Sequence, residues 1–515
     1  MTASEKAAVE VLIVGAGPTG LVLAICLTRL GVRVRIVDKL TAPETTSRAI
    51  GVQARTLEFY RQLGLADALV ARGHKAAAMN LWVSGRHRAR LPFADMGADI
   101  SPFPFALVVS QDEHEKILTE HLAGLGVEVE RGTELLDFEN ADELVSARLK
   151  KSGGAIETCA ANFIAGCDGA HSTVREHLKI GFAGGTYARR FYVADVQAEG
   201  APMNGEINVA LAAADFLVLF PLGNSGRARL IGALAEGAKN SGANPTWQDV
   251  NQGVIESLRL KITRVNWFST YRVHHRVAER YQLGRAFLLG DAAHVHSPVG
   301  GQGLNTGVGD AVNLAWKLAA VLRRRAPADL LDTYQPERTA FARRLVGTTD
   351  RVFAGVTSPR FFDRMMRLNF VPFLLPKIFQ IGAVRQFMFR TISQAVVNYR
   401  GSRMSAGRAG AVRGGDRLPW WKTETAGGAD NFAPLVSLDW QVHIYGEAAA
   451  EMKNFCAQKK LPLHIFPWRE EMRRTGLRRD AVYLLRPDGH VAVANLDSNA
   501  AALAAYLAAH NFKHE

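Results

Sequence analysis

Three glycines and one aspartate near the N-terminus have the spacing of a dinucleotide-binding turn. The glycine turn 15–20 follows an apolar run at 9–14 and precedes a helical pattern over 21–30. Asp38 stands 18 residues after the last of these glycines, at the end of a second apolar run over 32–37. A strand, a glycine turn, a helix and an acid in this order predict a βαβ unit that binds a dinucleotide.

Each position of the turn has a physical reason for its residue type. Gly15 permits the tight turn, Gly17 lets the backbone approach a pyrophosphate, and Gly20 allows the helix to pack closely on the strand. The helix N-terminus offers partial positive charge to the phosphates, and Asp38 is expected to bind the adenosine ribose. A purely structural glycine turn is the alternative. The binding residues predicted in this unit are Gly15, Gly17, Pro18, Thr19, Gly20, Asp38 and Lys39.

Two further motifs lie far along the chain. The segment 167–175 reads Cys-Asp-Gly-Ala-His-Ser-Thr-Val-Arg and follows an apolar segment. The segment 289–294 reads Leu-Gly-Asp-Ala-Ala-His and ends a strand pattern, and the segment 298–305, Pro-Val-Gly-Gly-Gln-Gly-Leu-Asn, leads into a helical pattern over 304–325. The N-terminal unit is therefore predicted to be interrupted and resumed later in the chain.

These three motifs, in this order and at these separations, resemble those of the flavin-dependent aromatic hydroxylases. These are single-component FAD monooxygenases, typified by phenol hydroxylase and p-hydroxybenzoate hydroxylase, and the resemblance spans residues 9 to 400. It implies bound FAD, NAD(P)H as co-substrate, and hydroxylation of a small aromatic (phenolic) substrate with O₂ through a flavin C4a-hydroperoxide. Such a site must exclude water, because a wet site releases H₂O₂ instead.

The resemblance also implies roles for residues at matching positions. Asp291 holds the ribityl chain of FAD, and the N–H groups that open the long helix point at the flavin pyrimidine edge, where the helix dipole favours the anionic reduced flavin. Asp168, with Arg175, is associated with both FAD and NAD(P)H. A surface or capping role is an equal alternative for Arg48 and Gln111. The set expected to contact the cofactor is Arg48, Gln111, Asp168, Asp291, Pro298, Gly301, Gly303, Leu304 and Asn305.

The chain has one G-x-G-x-x-G and no C-x-x-C among its four cysteines. A disulfide reductase of similar fold carries a second glycine motif for NAD(P)H and a redox-active cysteine pair, so that class is excluded. NAD(P)H is therefore expected to visit a surface groove transiently. His294 and His296 have an H-x-H spacing, but no third ligand lies nearby, and a metal site is the less favoured alternative.

The catalytic proton acceptor is not predicted. Phenol hydroxylase has an aspartate where this chain has Ile50, so the acceptor lies elsewhere or is unnecessary. Four side chains are candidates by chemistry alone, and each of them is also a common packed or solvated residue: Tyr192, Tyr271, His274 and His275.

The patterns predict an α/β fold in three parts. A discontinuous Rossmann-like FAD-binding domain takes 1–75, 105–185 and 276–400, and it is interrupted by an antiparallel-sheet substrate domain over 76–104 and 186–275. A glycine-rich linker is predicted over 401–436. Residues 437–515 resemble the thioredoxin-like domain appended to phenol hydroxylase, without its C-x-x-C, so we interpret them as structural, at the subunit interface of a homodimer.

Composition limits the possible partners. The chain has 515 residues and a formal charge of +13, and its 48% hydrophobic residues are typical of a globular protein. We expect a cytoplasmic protein with no membrane span and no nucleic-acid partner. Eleven basic residues and one acid lie in 351–413. They belong either to helices that pack an apolar face on the protein, which is the preferred interpretation, or to a basic amphipathic surface for anionic lipid.

Two other functions are compatible with the same motifs. An FAD-dependent oxidase or dehydrogenase acting on a non-phenolic substrate would keep the cofactor and add no oxygen to its product. A flavin-binding scaffold would show no NAD(P)H turnover with any substrate, and the intact cofactor motifs argue against it.

Overall fold

The structure is a computed structural model, and it describes residues 9–43, 51–212, 215–223, 226–234, 245–297, 301–357, 365–422, 430–496 and 499–512. Three residues named from the sequence, Arg48, Ile50 and Pro298, lie outside these ranges.

The chain contains both helices and strands along its whole described length. The strands are β1 (Val9–Val14), β2 (Val34–Asp38), β3 (Gly51–Val52), β4 (His74–Ala76), β5 (Ala78–Val83), β6 (Arg86–Pro92), β7 (Ala106–Val108), β8 (Val129–Arg131), β9 (Glu134–Asn140), β10 (Val145–Lys150), β11 (Ile156–Gly166), β12 (Phe182–Glu199), β13 (Ile207–Leu211), β14 (Phe216–Pro221), β15 (Arg227–Ala233), β16 (Lys261–Ala278), β17 (Gln282–Leu283), β18 (Ala286–Leu288), β19 (His294–Val295), β20 (Ala406–Ala409), β21 (Val412–Arg413), β22 (Gln441–Tyr445), β23 (Leu463–Phe466), β24 (Val482–Leu485) and β25 (Val491–Asn495). The helices are α1 (Pro18–Arg29), α2 (Ala54–Gln62), α3 (Ala66–Arg72), α4 (Ala94–Gly97), α5 (Gln111–Gly124), α6 (Thr173–His177), α7 (Gln252–Ser257), α8 (Gly303–Leu322), α9 (Tyr334–Thr357), α10 (Val371–Ile378), α11 (Gly382–Ile392), α12 (Ala450–Gln458) and α13 (Ala500–Ala509).

The first sheet contains the predicted βαβ unit. Its strands lie in the order β17-β18-β11-β1-β2-β8, and β1 pairs in parallel with β2 and with β11. The strand predicted at 9–14 is confirmed, whereas α1 begins at Pro18, three residues earlier than the predicted 21. Proline fits the first helical position because its φ is already helical and its missing N–H is not needed there.

A second, mostly antiparallel sheet interrupts this unit. Its order is β19-β16-β12-β15-β14-β13-β5-β6, and the long strands β12 and β16 pair from Phe182 opposite Ala278 to Glu199 opposite Lys261. One face, the outer face, packs on α7. The opposite face, the inner face, packs on residues of the first unit, including Ala54 and Val108. The predicted α/β fold with an inserted antiparallel sheet is therefore confirmed, and the domain boundaries stay a prediction.

The last sheet has the order β21-β20-β25-β24-β22-β23. Its strand β20 lies inside the segment predicted as a linker, and it pairs in parallel with β25. The glycines of this segment allow close packing: a Cβ on Gly407 would lie 2.2 Å from the carbonyl oxygen of Ala494, and one on Gly414 would lie 2.3 Å from the backbone nitrogen of Ala406. The likeness to thioredoxin stays a prediction.

The basic stretch has two different faces in its described part. Phe379 and Phe389 are buried, as expected for helices that pack on the protein. Phe373 and Phe387, on α10 and α11, are 63% and 65% exposed. Across the described ranges, no helix has the length and apolar character that crossing a membrane requires.

Candidate active site

The glycine turn between β1 and α1 has the geometry that its sequence predicts. Gly15 has φ +100°, and a Cβ there would lie 2.4 Å from the carbonyl oxygen of Cys167. A Cβ on Gly20 would lie 2.0 Å from the carbonyl oxygen of Gly15. Around Gly17, in contrast, nothing lies within 4 Å of the Cβ position. Two glycines are thus required by packing, and the third faces open space beside the turn.

Helix α1 begins beside this open space, and the described residues supply neither a capping side chain nor an acid in its first turn. Its N-cap is Gly17, which has no side chain to cap the helix. Backbone N–H groups at such a helix start are free to bind an anion, and the helix dipole favours negative charge there.

Asp38 lies next to the turn and is already engaged. Its Oδ2 accepts a hydrogen bond of 2.7 Å from the backbone N–H of Ala16, and its Oδ1 accepts one of 2.8 Å from Leu40. Arg131, which pairs with it across β2 and β8, has Nη1 3.5 Å from Oδ2. Arg131 was not predicted from the sequence, because only the pairing of two strands far apart in sequence brings it beside Asp38. Lys39 is exposed.

Thr19 packs the first glycine turn against Gly290 and against helix α8. Its hydroxyl oxygen would lie 2.7 Å from a Cβ on Gly290, which has φ +58°, and 2.3 Å from a Cβ on Gly307 of α8. Asp291 follows Gly290 directly and is exposed. The first glycine turn, the Gly290-Asp291 pair and the start of α8 therefore meet at one place.

The start of α8 is held beside strand β3. Asn305 accepts a 2.9 Å hydrogen bond from the backbone N–H of Gln53 and donates from Nδ2 to the carbonyl oxygens of Gly51 and Gly301, at 2.9 and 2.6 Å. The Asn305 side chain thus positions backbone, a role that the sequence did not suggest. As in α1, the described residues at the start of α8 include no capping side chain and no acid in the first turn, where Gly303 and Leu304 lie.

The Asp168 motif is tied to the Gly290-Asp291 pair through Arg175. Asp168 accepts 2.6 and 3.2 Å hydrogen bonds from the Ser172 hydroxyl and the Val174 N–H, and burial raises its pKa. Arg175 donates to the carbonyl oxygen of Ala292 at 3.1 Å. Gln111, at the first residue of α5, donates to Glu115 at 2.7 Å.

The candidate proton acceptors do not share one surface. Tyr192 packs with Phe268 in the cluster of the outer face, and burial raises its pKa well above the usual value. Tyr271 packs on the inner face near Phe191. His274 contacts the Thr186 hydroxyl at 2.7 Å. Tyr192 thus lies on the face opposite to the one that packs on Ala54 and Val108.

The two histidines after Asp291 have separate environments. Nε2 of His294 and Oδ2 of the buried Asp310 are 2.7 Å apart. Nδ1 of His296 lies 2.7 Å from the carbonyl oxygen of Ser297, and burial lowers its pKa to about 4. His294 therefore pairs with a carboxylate and His296 with a backbone carbonyl, while Nε2 of His296 is buried and has no hydrogen-bond partner among the described residues.

Comparison with known proteins agrees with this geometry. A family model described as an FAD binding domain matches residues 8–349. The chain is 32% identical over 498 residues to a flavin-dependent monooxygenase of Mycobacteroides abscessus, covering 94% of this chain and 96% of that protein. The chain belongs to the FAD-dependent aromatic monooxygenases.

Other monooxygenases and hydroxylases match over part of the chain or in fold. The 6-methylpretetramide 4-monooxygenase of Streptomyces rimosus is 40% identical over 346 residues, which are 66% of this chain and 61% of that protein. The solved structure of an anhydrotetracycline hydroxylase from Streptomyces rimosus is 27% identical, covers 97% of this chain and 98% of its own, and has a TM-score of 0.77. That of an aklavinone-11 hydroxylase with FAD and aklavinone is 26% identical, covers 98% of both chains, and has a TM-score of 0.76.

The described residues of this monooxygenase fit FAD as the resident cofactor. No described atom lies within 4 Å of a Cβ built on Gly17, so a ligand can approach the backbone there, and the uncapped starts of α1 and α8 both favour anionic groups.

Proposed function

We propose that the protein hydroxylates a polycyclic aromatic substrate that carries a phenolic hydroxyl, with NAD(P)H as the reductant and O₂ as the oxygen source. The inner face of the second sheet carries this proposal. Val209, Val218, Phe220 and Tyr271 are apolar or aromatic and yet only partly buried, whereas the outer face of the same strands is fully buried at Ala210, Leu217 and Leu219.

The size of this face supports a large ring system. Strands β5, β13, β14 and β15 lie side by side, and a spacing of about 4.8 Å between neighbours makes them about 14 Å wide together. A face this wide, apolar and partly exposed suits several fused rings better than a single ring. The names of three similar enzymes, which act on 6-methylpretetramide, anhydrotetracycline and aklavinone, support the same substrate class.

The residues expected to hold the cofactor come from all three motifs. FAD, when bound, supplies the electrons taken from NAD(P)H and the group that activates O₂. The N–H groups at the starts of α1 and α8 bind its anionic parts, Asp291 holds the ribityl chain, and Asp38 the ribose. Asp168 and Gln111 are also proposed to contact the cofactor. Arg48 and Pro298 lie outside the described residues, so their proposed cofactor contacts are based on the resemblance alone.

The chain's own residues then provide orientation and a dry site. The inner face binds the rings and excludes water, which limits the wasteful release of H₂O₂. We assign to Tyr271, on the inner face, the role of holding or moving the phenolic proton of the substrate. The cytoplasmic location and the homodimer expected from the sequence remain proposals.

The decisive experiment measures NAD(P)H oxidation in air with tetracyclic phenols and with monocyclic phenols, followed by mass spectrometry under ¹⁸O₂. We expect faster oxidation with a tetracyclic phenol and a product that contains one ¹⁸O atom. Faster oxidation with H₂O₂ as the only oxygen product favours the oxidase alternative. Turnover of monocyclic phenols alone contradicts the proposed substrate size.

A further inference from the structure

The hairpin turn between β24 and β25 inserts a fully buried arginine beneath the flavin-binding helix α8. Arg486 donates from Nη1 and Nη2 to the two carboxylate oxygens of Glu337 on α9, both at 2.9 Å. Its Nη2 also donates to Asp488 at 2.6 Å. We call the described residues from Tyr399 to Phe512 the C-terminal unit. Through this turn, the C-terminal unit contacts helix α9.

Glu337 joins three parts of the chain. Besides Arg486, it accepts hydrogen bonds from Lys317 Nζ at 2.8 Å and Asn313 Nδ2 at 2.7 Å, both on α8, and from the Ser402 hydroxyl at 2.6 Å. Burial alone would raise its pKa, but these cations hold the pKa well below its usual value. Helices α8 and α9 and the C-terminal unit are thus fixed on one carboxylate.

The next residue of α9 continues the connection toward the cofactor site. Arg338 donates to Asp310 at 2.6 Å and to the carbonyl oxygen of Thr306, in the first turns of α8, at 3.0 Å. Asp310 in turn accepts a 3.0 Å hydrogen bond from the backbone N–H of Gly290. A line of buried contacts therefore runs from Arg486 to the Gly290-Asp291 pair.

A second arginine of the C-terminal unit holds the opposite side of the site. Arg417 donates to both carboxylate oxygens of the buried Glu58 on α2, at 2.8 and 2.5 Å, and Glu58 also pairs with Arg55 at 2.9 Å. Arg55 donates to the carbonyl oxygen of Asp488 at 2.9 Å. Helix α2 follows Gln53 directly, and Gln53 is bonded to Asn305 at the start of α8.

We propose that Arg486 and Arg417 are positioning residues for FAD, and that the C-terminal unit is an integral part of the flavin site. Together they fix the elements on both sides of the start of α8. Buried ion pairs are weak sources of net stability but have demanding geometry, so their use here sets the placement of α8, α9 and α2. The proposal rests on the placement of FAD at α8 that the proposed function assumes.

The test measures FAD binding to the full chain without substrate. The variants are Arg486→Met, Arg417→Met and the conservative Arg486→Lys. The control is Arg400→Met, which removes an ion pair with Asp416 in the same unit. This pair is a suitable control because the Arg400 side chain is half exposed. The readouts are the FAD dissociation constant of the apoprotein, the visible circular dichroism of bound flavin and the melting temperature.

We expect FAD binding to weaken at least about tenfold in both Met variants, with a changed flavin spectrum and partial recovery in Arg486→Lys. Arg400→Met keeps the wild-type affinity. If Arg486→Met fails to fold, Arg486→Lys keeps a buried positive charge beside Glu337 and Asp488 but loses the paired hydrogen bonds, and it is expected to fold and to bind FAD more weakly than the wild type. Wild-type affinity and spectrum in any of these foldable Met variants overturns the proposal. Tight FAD binding without hydroxylation of any substrate contradicts the proposed function alone.

Discussion

The hydroxyl oxygen of Thr19 occupies the space that a side chain at Gly307 would need, because a Cβ built on Gly307 would lie 2.3 Å from it. This contact joins helix α1, which follows the first glycine turn, to helix α8, which follows the last. The two binding motifs can therefore approach each other only while residue 307 is a glycine.

Gly307→Ala is expected to destabilise the protein by about 1–3 kcal/mol, the usual cost of overpacking, and to lower the FAD content of the purified protein. Thermal unfolding and flavin absorbance measure the two effects. Gly347→Ala is the matched control, since Gly347 also lies within a helix, α9, and nothing lies within 4 Å of its Cβ position. A destabilisation equal to that of the control contradicts the importance of the Thr19 contact.

Gly17→Val is expected to block FAD binding without disturbing the fold. Gly17 has φ −73°, which valine tolerates, and its Cβ position faces open space. The apoprotein should therefore melt within about 2 °C of the wild-type apoprotein, because the substitution should change the free energy of unfolding by about 0.5 kcal/mol or less, while titration shows no saturable FAD binding. Gly382→Val, in equally open space at the first residue of α11, should leave FAD binding unchanged. If the Gly17→Val protein is yellow and fully loaded with FAD, the diphosphate does not bind at this turn.

Tyr271→Phe is expected to lower kcat/KM for hydroxylation by about tenfold, the effect of one lost hydrogen bond to the substrate, and to raise the share of H₂O₂. Tyr192→Phe tests the same chemical change on the outer face of the same sheet, and we expect wild-type turnover from it. Product yield per NAD(P)H consumed is the measurement. Equal yields for the two variants count against a role of Tyr271 at the substrate.

His114 predicts a loss of stability in acid. Burial lowers its pKa from 6.5 to about 4, so between these values the unfolded chain binds the proton more readily than the folded one. The free energy of unfolding should then fall by up to about 3 kcal/mol as the pH drops from 6.5 to 4. Denaturant unfolding at several pH values measures this slope.

His114→Gln should flatten that slope, because glutamine does not titrate. Tyr60→Phe removes the 2.8 Å contact of the Tyr60 hydroxyl with His114 Nε2 but leaves the ring buried. Since burial is the cause of the shift, the slope should persist in this second variant. A slope that disappears in Tyr60→Phe would assign the effect to the hydrogen bond instead.

The sequence was informative where function depends on neighbouring residues. The roles of Gly15 and Gly20 follow from local geometry, and a turn imposes that geometry within six residues. The strand β1 and the long helix α8 were predictable for the same reason, because each has a strong apolar pattern of its own.

Long-range polar partners had no such signal. Gln53 and Asn305 are 252 residues apart, and Arg417 and Glu58 are 359 residues apart. A single sequence carries no mark of such a pairing, since each residue alone is an ordinary surface or capping type. The glycines of 406–415 suggested a linker for a related reason. In the folded chain they allow close packing instead, as Gly407 does against Ala494, and a single sequence does not show such contacts.

The buried position of Arg486 has a consequence for the order in which the enzyme can mature. Protein synthesis proceeds from the N-terminus, so the FAD-binding part matched at 8–349 leaves the ribosome well before residues 486–490 exist. Until then, Glu337 pairs with Lys317 of α8 but lacks the two hydrogen bonds that Arg486 donates to its carboxylate. The nascent chain can form its first sheet early, but it acquires a finished cofactor site only when its last strands have been made.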